Sequence, residues 1–321
     1  MEDTLGRNIN YLRVSVTDLC NLRCQYCMPE EGIAKKHHGE ILSLEEIFQV
    51  VKTAADLGIH KVRITGGEPL VRKGILELIE NIANLQKIKD LAMTTNGILL
   101  RQYASDLKAA GLKRVNISLD TLREERYKNI TRGGKFKAVW EGIEAARKAG
   151  LCPIKINVVL IGDFNDDEIE DFAKLTLEES MEVRFIELMP IGQAAAWAKN
   201  RFISNHTAKE RIKGLIPVYD GDRSSPAKYY QLPGGKGKIG FINPISNHFC
   251  KHCNRIRLTA DGRLKPCLHW DQEMDVKAAL RAGVEDLGEI IQKTILAKPL
   301  QHTLNRSDHA PVERDMYRIG G

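Results

Sequence analysis

Six of the seven cysteines in this 321-residue chain fall into two tight triplets. The first lies in Cys20-Asn21-Leu22-Arg23-Cys24-Gln25-Tyr26-Cys27-Met28, spaced C-x3-C-x2-C, directly after the apolar run Tyr11 to Val16. Three thiolates converging from one loop suit a soft metal centre, because sulfur ligands select iron–sulfur clusters, zinc or Cu(I). A structural site normally closes its shell with four ligands, whereas a site that works on a substrate keeps a position open. A cubane held by three cysteines has one iron free for a further ligand; a zinc site closed by a distant histidine is the alternative on spacing alone. The second triplet, Cys250, Cys253 and Cys267, is spaced C-x2-C-x13-C, and here zinc closed by His252 or His269 stays open as well. Between these ligands lies Asn254-Arg255-Ile256-Arg257-Leu258. Arginines at i and i+2 of an extended segment share a face, and guanidinium forks match phosphate oxygens two at a time. Beside a metal site, that pairing points to polyphosphate recognition; the alternative is a solvated strand.

These residues need elements to hold them. Strand and helix alternate through the first ~190 residues. Tyr11–Val16 reads as a first strand ending in the cysteine loop, and Ser43 with Glu46 reads as a capping box opening a helix that Gly58 stops. Further strands are expected at Lys61–Thr65, Asp90–Thr95, Arg114–Leu119, Ile154–Ile161 and Glu182–Leu188, with helices at Gly74–Leu85, Leu100–Ala110, Phe136–Ala149 and Asp166–Glu179. Six β-α units imply parallel strands with right-handed crossovers, in a partial TIM-like barrel or an open doubly wound sheet. The cysteine loop, Gly66-Gly67-Glu68-Pro69, Thr94-Thr95-Asn96-Gly97, Ser118-Leu119-Asp120 and Met189-Pro190 all fall at strand carboxyl ends, where barrel enzymes build their sites. After Pro190 the pattern breaks: a helix is expected over Ser204–Leu215, loops at Gly221–Ser225 and Leu232–Gly240, and helix near Asp275–Leu296. Residues 1–200 are thus read as the barrel and 201–321 as an irregular region around the second triplet. Cys152, before Pro153, is expected in the core, and His37-His38 in a polar loop.

Hydrophobic content of 43% supports a sizeable core, and no run approaches the ~18 apolar residues of a membrane span. The amino terminus lacks the apolar core of a signal peptide, and clustered cysteines read as metal ligands in a reducing cytoplasm, not as a disulfide framework. The net charge of +6 fits an anionic substrate and otherwise reads as a solvated surface, with no nucleic-acid partner expected.

C-x3-C-x2-C with Tyr26 before the last cysteine resembles the signature of the radical SAM enzymes. In that superfamily the open iron of a 4Fe-4S cluster chelates S-adenosylmethionine (SAM), and reduction releases a 5′-deoxyadenosyl radical. A longer series of motifs resembles one branch, the GTP 3′,8-cyclases that open molybdenum-cofactor biosynthesis, over essentially the full length. It comprises Gly6-Arg7, Leu12-Arg13-Val14-Ser15-Val16-Thr17-Asp18, Met28-Pro29, Arg63-Ile64-Thr65-Gly66-Gly67-Glu68-Pro69, Thr94-Thr95-Asn96-Gly97, Ser118-Leu119-Asp120, Lys155-Ile156-Asn157, Glu187-Leu188-Met189-Pro190, Arg255-Ile256-Arg257 and the terminal Gly320-Gly321.

The resemblance implies a six-stranded partial barrel and two 4Fe-4S clusters, on Cys20, Cys24 and Cys27 and on Cys250, Cys253 and Cys267. It implies SAM contacts from Tyr26, Gly67, Ser118 and Met189. GTP contacts are implied for Arg13, Arg63, Thr94, Lys155, Arg255 and Arg257, with Arg13, Arg255 and Arg257 catalytic and Arg184 a weaker candidate. The implied reaction takes hydrogen from C3′ of the GTP ribose and joins C3′ to guanine C8, giving (8S)-3′,8-cyclo-7,8-dihydro-GTP. The second cluster's open iron faces the guanine in this family, and the Gly-Gly tail reaches into the site. A reductant of flavodoxin or ferredoxin type, cyclic pyranopterin monophosphate synthase downstream, and a homodimer are the implied partners. The alternatives are another two-cluster radical SAM maturase and a non-catalytic zinc-binding interaction protein.

Overall fold

Six parallel strands, each at a position the alternation predicts, form the wall on which the site is built. They are β1 (Tyr11–Ser15), β2 (Lys61–Thr65), β3 (Asp90–Thr95), β4 (Arg114–Ser118), β5 (Ile154–Leu160) and β6 (Met181–Glu187). The computed structural model describes all residues except 193, 220, 284–285, 305–313 and 321, and except the side chains of 194, 196 and 197. Between the strands run α1 (Leu44–Asp56), α2 (Ile75–Ala83), α3 (Leu100–Ala109), α4 (Glu124–Ile130), α5 (Phe136–Lys148) and α6 (Ile169–Glu178). α1 starts where its sequence dictates: Ser43 accepts from the Glu46 amide while the Glu46 carboxylate accepts from the Ser43 amide. Charge-rich α4, seven residues long, lacks the apolar stripe that announces the other helices.

The strands lie side by side in chain order, and this decides between the two architectures the pattern allowed. A doubly wound sheet reverses its order at a switch point, whereas sequential order puts every right-handed crossover on one face, as in a barrel. Leu12, Val14, Val62, Ile64, Val115, Ile117, Ile156 and Val183 point to that face and are sealed under the helices. Their alternate neighbours point into a lumen. The sheet of 12 strands does not close among the described residues, so the barrel is partial.

The region after Pro190, expected to be irregular, contributes β7 (Ile216–Val218), β8 (Ala227–Gln231), β9 (Lys238–Ile242), β10 (Arg255–Leu258), β11 (Arg263–Lys265) and β12 (Met274–Asp275) to the same sheet. At two to five residues each, they are too short to impose a period on the sequence. β9 lies parallel beside β6, and β10 parallel beside β1, so both edges of the wall are extended. Gly240, which made this stretch read as loop, is required within β9: a Cβ there would come within 3.0 Å of the Tyr229 ring and 3.1 Å of the Arg184 side chain. The helices of this region are α7 (Ala194–Lys199), α8 (Asn205–Arg211), α9 (Val276–Ala282), α10 (Leu287–Leu296) and α11 (Met316–Ile319). The helix expected over Asp275–Leu296 is thus two, started by the side chains of Asp275 and Asp286 and parted at Gly283. Cys152 is exposed, not in the core; Leu151 takes the buried position of the turn entering β5. Among the described residues no helix is long and apolar enough to cross a membrane.

Candidate active site

Register aligns the lumen residues in rows. Arg257, Arg13, Arg63, Ala92 and Arg114 are successive cross-strand neighbours from β10 to β4. Thr94, Asn116, Lys155 and Glu182 form another row from β3 to β6. Arg255, Tyr11, Lys61 and Asp90 form a third, nearer the amino ends of the strands. Cross-strand neighbours project from the same face. All six residues expected to meet GTP (Arg13, Arg63, Thr94, Lys155, Arg255 and Arg257) therefore line one lumen, and Arg184 joins them, donating to Asn116 at 2.8 Å.

The lumen is crowded with positive charge. Burial and the neighbouring Arg257 and Arg63 hold the Arg13 guanidinium well below its ordinary value. Burial lowers Arg63 and Arg257 to about 10 each. The Arg63 Nε is buried with no hydrogen-bond partner among the described residues. Lys155 is brought down to about 8 by burial, which outweighs the support of Glu182 at 2.5 Å. Two carboxylates offset part of the charge: Asp90 takes both terminal nitrogens of Arg114, and Glu182 accepts from Lys155 and from the Tyr229 hydroxyl at 2.7 Å. Arg255 and Arg63 flank the Tyr11 ring, their guanidinium carbons 5.6 and 5.5 Å from its centre. Cations desolvated beside one another favour an anion among them.

At the carboxyl mouth the cysteine loop packs against the turn after β2. Gly67 donates to the Thr17 carbonyl at 2.8 Å and Glu68 to the Leu19 carbonyl at 2.9 Å. A Cβ on Gly67 would stand 2.4 Å from the Leu19 oxygen, so close packing of these two backbones requires the glycine here. The Glu68 carboxylate, fully buried, accepts from Leu70, Thr95 and Asn96 and so ties β2 to β3; burial pushes it up to about 7. Tyr26 donates to Asp120 at 2.7 Å, whose other oxygen accepts from the Val159 amide at 2.8 Å. Asn96 points its amide at the Cys20 sulfur, 3.7 Å away. Ser118 ends β4, and Met189 packs with Ile191, Ile319 and Met316 at the same mouth.

Burial pushes the Cys20 thiol up to about 11 and Cys27 to about 12, with Cys24 also well raised. Such a loop ionises its sulfurs only around a positive centre. Among the described residues no three His, Cys, Asp or Glu side chains gather closely enough to hold a single metal ion. Three soft thiolates from one loop are the donors an iron–sulfur cluster takes. The donor set fits a cluster.

The second triplet sits at the opposite end of the lumen. Cys250 and Cys253 precede β10, and Cys267 follows the antiparallel β11, so the strands deliver all three to the amino end of β1. The site expected at one face thus spans the barrel's length. From the Arg255 row to Ser15 is four residues of strand, about 13 Å at ~3.3 Å per residue. Burial raises the Cys253 thiol, but the Lys298 and Arg255 cations outweigh it and hold it at about 7. The carboxyl-terminal tail enters between the two ends: Arg257 donates to the Gly320 carbonyl at 3.2 Å, and a Cβ on Gly320 would press on Thr65 at 2.8 Å. Gly321 lies outside the described residues.

Sequence reasoning missed Arg114, Asn116, Glu182 and Lys298. The first two were detectable, since polar residues at 114, 116 and 118 alternate with Val115 and Ile117 in an evident strand. Lys298 follows α10 with no motif around it.

A cysteine triplet at the carboxyl mouth of a sequentially wound partial barrel defines the class: residues 14–176 match the radical SAM superfamily. Residues 181–304 match the Molybdenum Cofactor Synthesis C family. The chain is 57% identical over 321 residues to the GTP 3′,8-cyclase of Alkaliphilus metalliredigens and 58% identical to that of Alkaliphilus oremlandii, covering 100% of both chains in each case. The GTP 3′,8-cyclase of Peptoclostridium acidaminophilum is 52% identical over 99% of this chain and 98% of its own. Within the radical SAM superfamily, the chain belongs to the GTP 3′,8-cyclase family. Its fold is similar to native anSMEcpe with bound AdoMet, at TM-score 0.60 and 16% identity over 97% of this chain and 87% of the other. Streptococcus suis SuiB bound to S-adenosylmethionine gives TM-score 0.60 and 14% identity, over 97% and 77%.

Proposed function

We propose that this enzyme converts GTP to (8S)-3′,8-cyclo-7,8-dihydro-GTP, the first step of molybdenum-cofactor biosynthesis. The observation that carries the reading is a lumen of desolvated arginines and lysine running between two cysteine triplets. Cys20, Cys24 and Cys27 would hold the first 4Fe-4S cluster, with Tyr26, Gly67, Ser118 and Met189 around SAM. Cys250, Cys253 and Cys267 would hold the second. When bound, the first cluster and SAM would supply a 5′-deoxyadenosyl radical able to take the ribose 3′ hydrogen, and joining C3′ to guanine C8 would then need one further electron and a proton to give the 7,8-dihydro product.

The chain's residues supply binding, orientation and exclusion of water. Arg13, Arg63, Lys155 and Arg257 are assigned to the triphosphate, whose charge relieves their mutual repulsion, with Thr94 as a neutral donor. Arg255 is held between the Phe249 and Tyr11 rings and donates to the Ser224 carbonyl at 2.7 Å, which fixes its fork at the second-cluster end. Arg257 both faces the lumen and grips the tail at Gly320, so the closing segment and the substrate site share one guanidinium. We assign residues 1–200 to the barrel and 201–321 to the region completing the GTP site. A flavodoxin- or ferredoxin-type reductant, cyclic pyranopterin monophosphate synthase as recipient of the product, a homodimer and a cytoplasmic location belong to the same proposal.

Replacing Arg255 or Arg257 by Ala tests the assignment. GTP turnover is expected to collapse while GTP-independent SAM cleavage persists; equal loss of both activities refutes the role given to these arginines.

A further inference from the structure

Lys298, just past α10, is 4% exposed. An ammonium has three N–H donors. Two of them reach the carbonyls of Arg255 and Pro266, both at 2.7 Å, and its charge helps hold the Cys253 thiol down at about 7. No carboxylate pairs with Lys298 among the described residues. A buried ammonium without a counter-charge is strongly unfavourable, and the Cys253 and Cys250 sulfurs, when ionised, lie within reach of its field. The peptide carrying it is pinned as well. Arg7, paired with Asp3 at 2.6 Å, donates to the carbonyls of Lys298 and Pro299 at 3.2 and 2.9 Å and to that of Cys250 at 3.0 Å. Two buried cations thus bind the backbone beside each cysteine of the second site.

We propose that Lys298 is a positioning residue of the second cluster: its ammonium bridges the segments bearing Cys253 and Cys267 and, as a buried positive charge beside them, holds the cluster's reduction potential up. The inference rests on the reading that this triplet carries a cluster. Hydrogen bonds to cluster sulfurs and nearby positive charge favour the more negative, reduced state, and outer partners of metal ligands commonly set affinity and potential.

The test uses the full-length enzyme, loaded anaerobically, as wild type, Lys298→Met and Lys298→Gln. Each is titrated potentiometrically and followed by electron paramagnetic resonance; the signal that responds to SAM belongs to the first cluster. At a fixed poise, Lys298→Met should lower the reduced-to-oxidised ratio of the second cluster about tenfold, the lower end of what outer partners contribute, equivalent to about 59 mV for one electron. Lys298→Gln, which keeps donors without charge, should fall between, and the first cluster should not move. Should Lys298→Met fail to fold, the Gln variant decides alone. A second cluster that titrates as in wild type, or is lost without any shift in what is retained, makes Lys298 a structural prop and overturns the proposal. A wild-type enzyme with iron for only one cluster instead overturns the assignment of the second triplet itself, and this inference with it.

Discussion

Neutralising Arg63 should strengthen the GTP-free fold while weakening GTP binding. Its guanidinium falls from an ordinary 12.5 to about 10, with burial the leading cause. At ~1.36 kcal/mol for each pH unit, that difference corresponds to about 3 kcal/mol against the charged form. Because the folded pKa is the lower one, the penalty is fully present at pH 7 and disappears only between about 10 and 12.5. Arg63 is partly open to the lumen, and water there screens the penalty to roughly 1–2 kcal/mol. Arg63→Met also gives up the stacking on Tyr11, worth about 0.5–1 kcal/mol. The cluster-free chain should therefore be more stable by roughly 1 kcal/mol, measured by urea unfolding at pH 7. A guanidinium bonded to phosphate contributes about 1.5–3 kcal/mol, so GTP affinity, measured by equilibrium dialysis, should fall about tenfold to a hundredfold. Opposite signs are what a site organised for an absent anion produces. A variant that is less stable and binds GTP as before refutes the reasoning and makes Arg63 structural.

Lys155, at about 8 without ligand, should make GTP affinity flat below that pH and reduce it about tenfold between pH 7 and 9; Lys155→Met should abolish the dependence, and an unchanged pH profile would remove Lys155 from the triphosphate site. Glu187 is fully buried and accepts from the amides of Asn205, Ile245 and Ser246 and from the Ser246 hydroxyl. Glu187→Ala should cost at least about 3 kcal/mol in urea unfolding, since each orphaned buried donor costs ~1–3 kcal/mol; a loss under 1 kcal/mol would contradict this role. Gly67→Ala drives a Cβ against the Leu19 oxygen and should release iron from the first site while the second retains its own, as read from iron content and spectra. Retention of both clusters would show that the two turns can part.

The barrel wall was legible because each strand carries its period and its stop signal. β2 and β3 occupy the residues expected, and glycine or a capping box ends or starts the helices beside them. The lumen cations share one face because they alternate with Leu12, Val62 or Ile256 in short strands. What was hidden depends on pairing between distant segments. Nothing local tells Arg255–Leu258 to lie against Tyr11–Val14, yet that register puts Arg257 beside Arg13 and the second triplet opposite the first. Gly240 misled for the same reason: its need is set by Tyr229 and Arg184, not by its neighbours in sequence. Lys298 was invisible because its partners are backbone carbonyls from two other segments.

The central claim, that the lumen presents the ribose of GTP to a radical generated at the first triplet, is tested most directly with GTP deuterated at C3′. The enzyme is loaded with iron and sulfide anaerobically, reduced with dithionite and given SAM and the labelled nucleotide, and the products are weighed. The account predicts GTP-dependent 5′-deoxyadenosine carrying the deuterium, in step with loss of GTP to a cyclised product. Unlabelled 5′-deoxyadenosine with GTP intact would contradict it, leaving a radical enzyme whose substrate is not GTP.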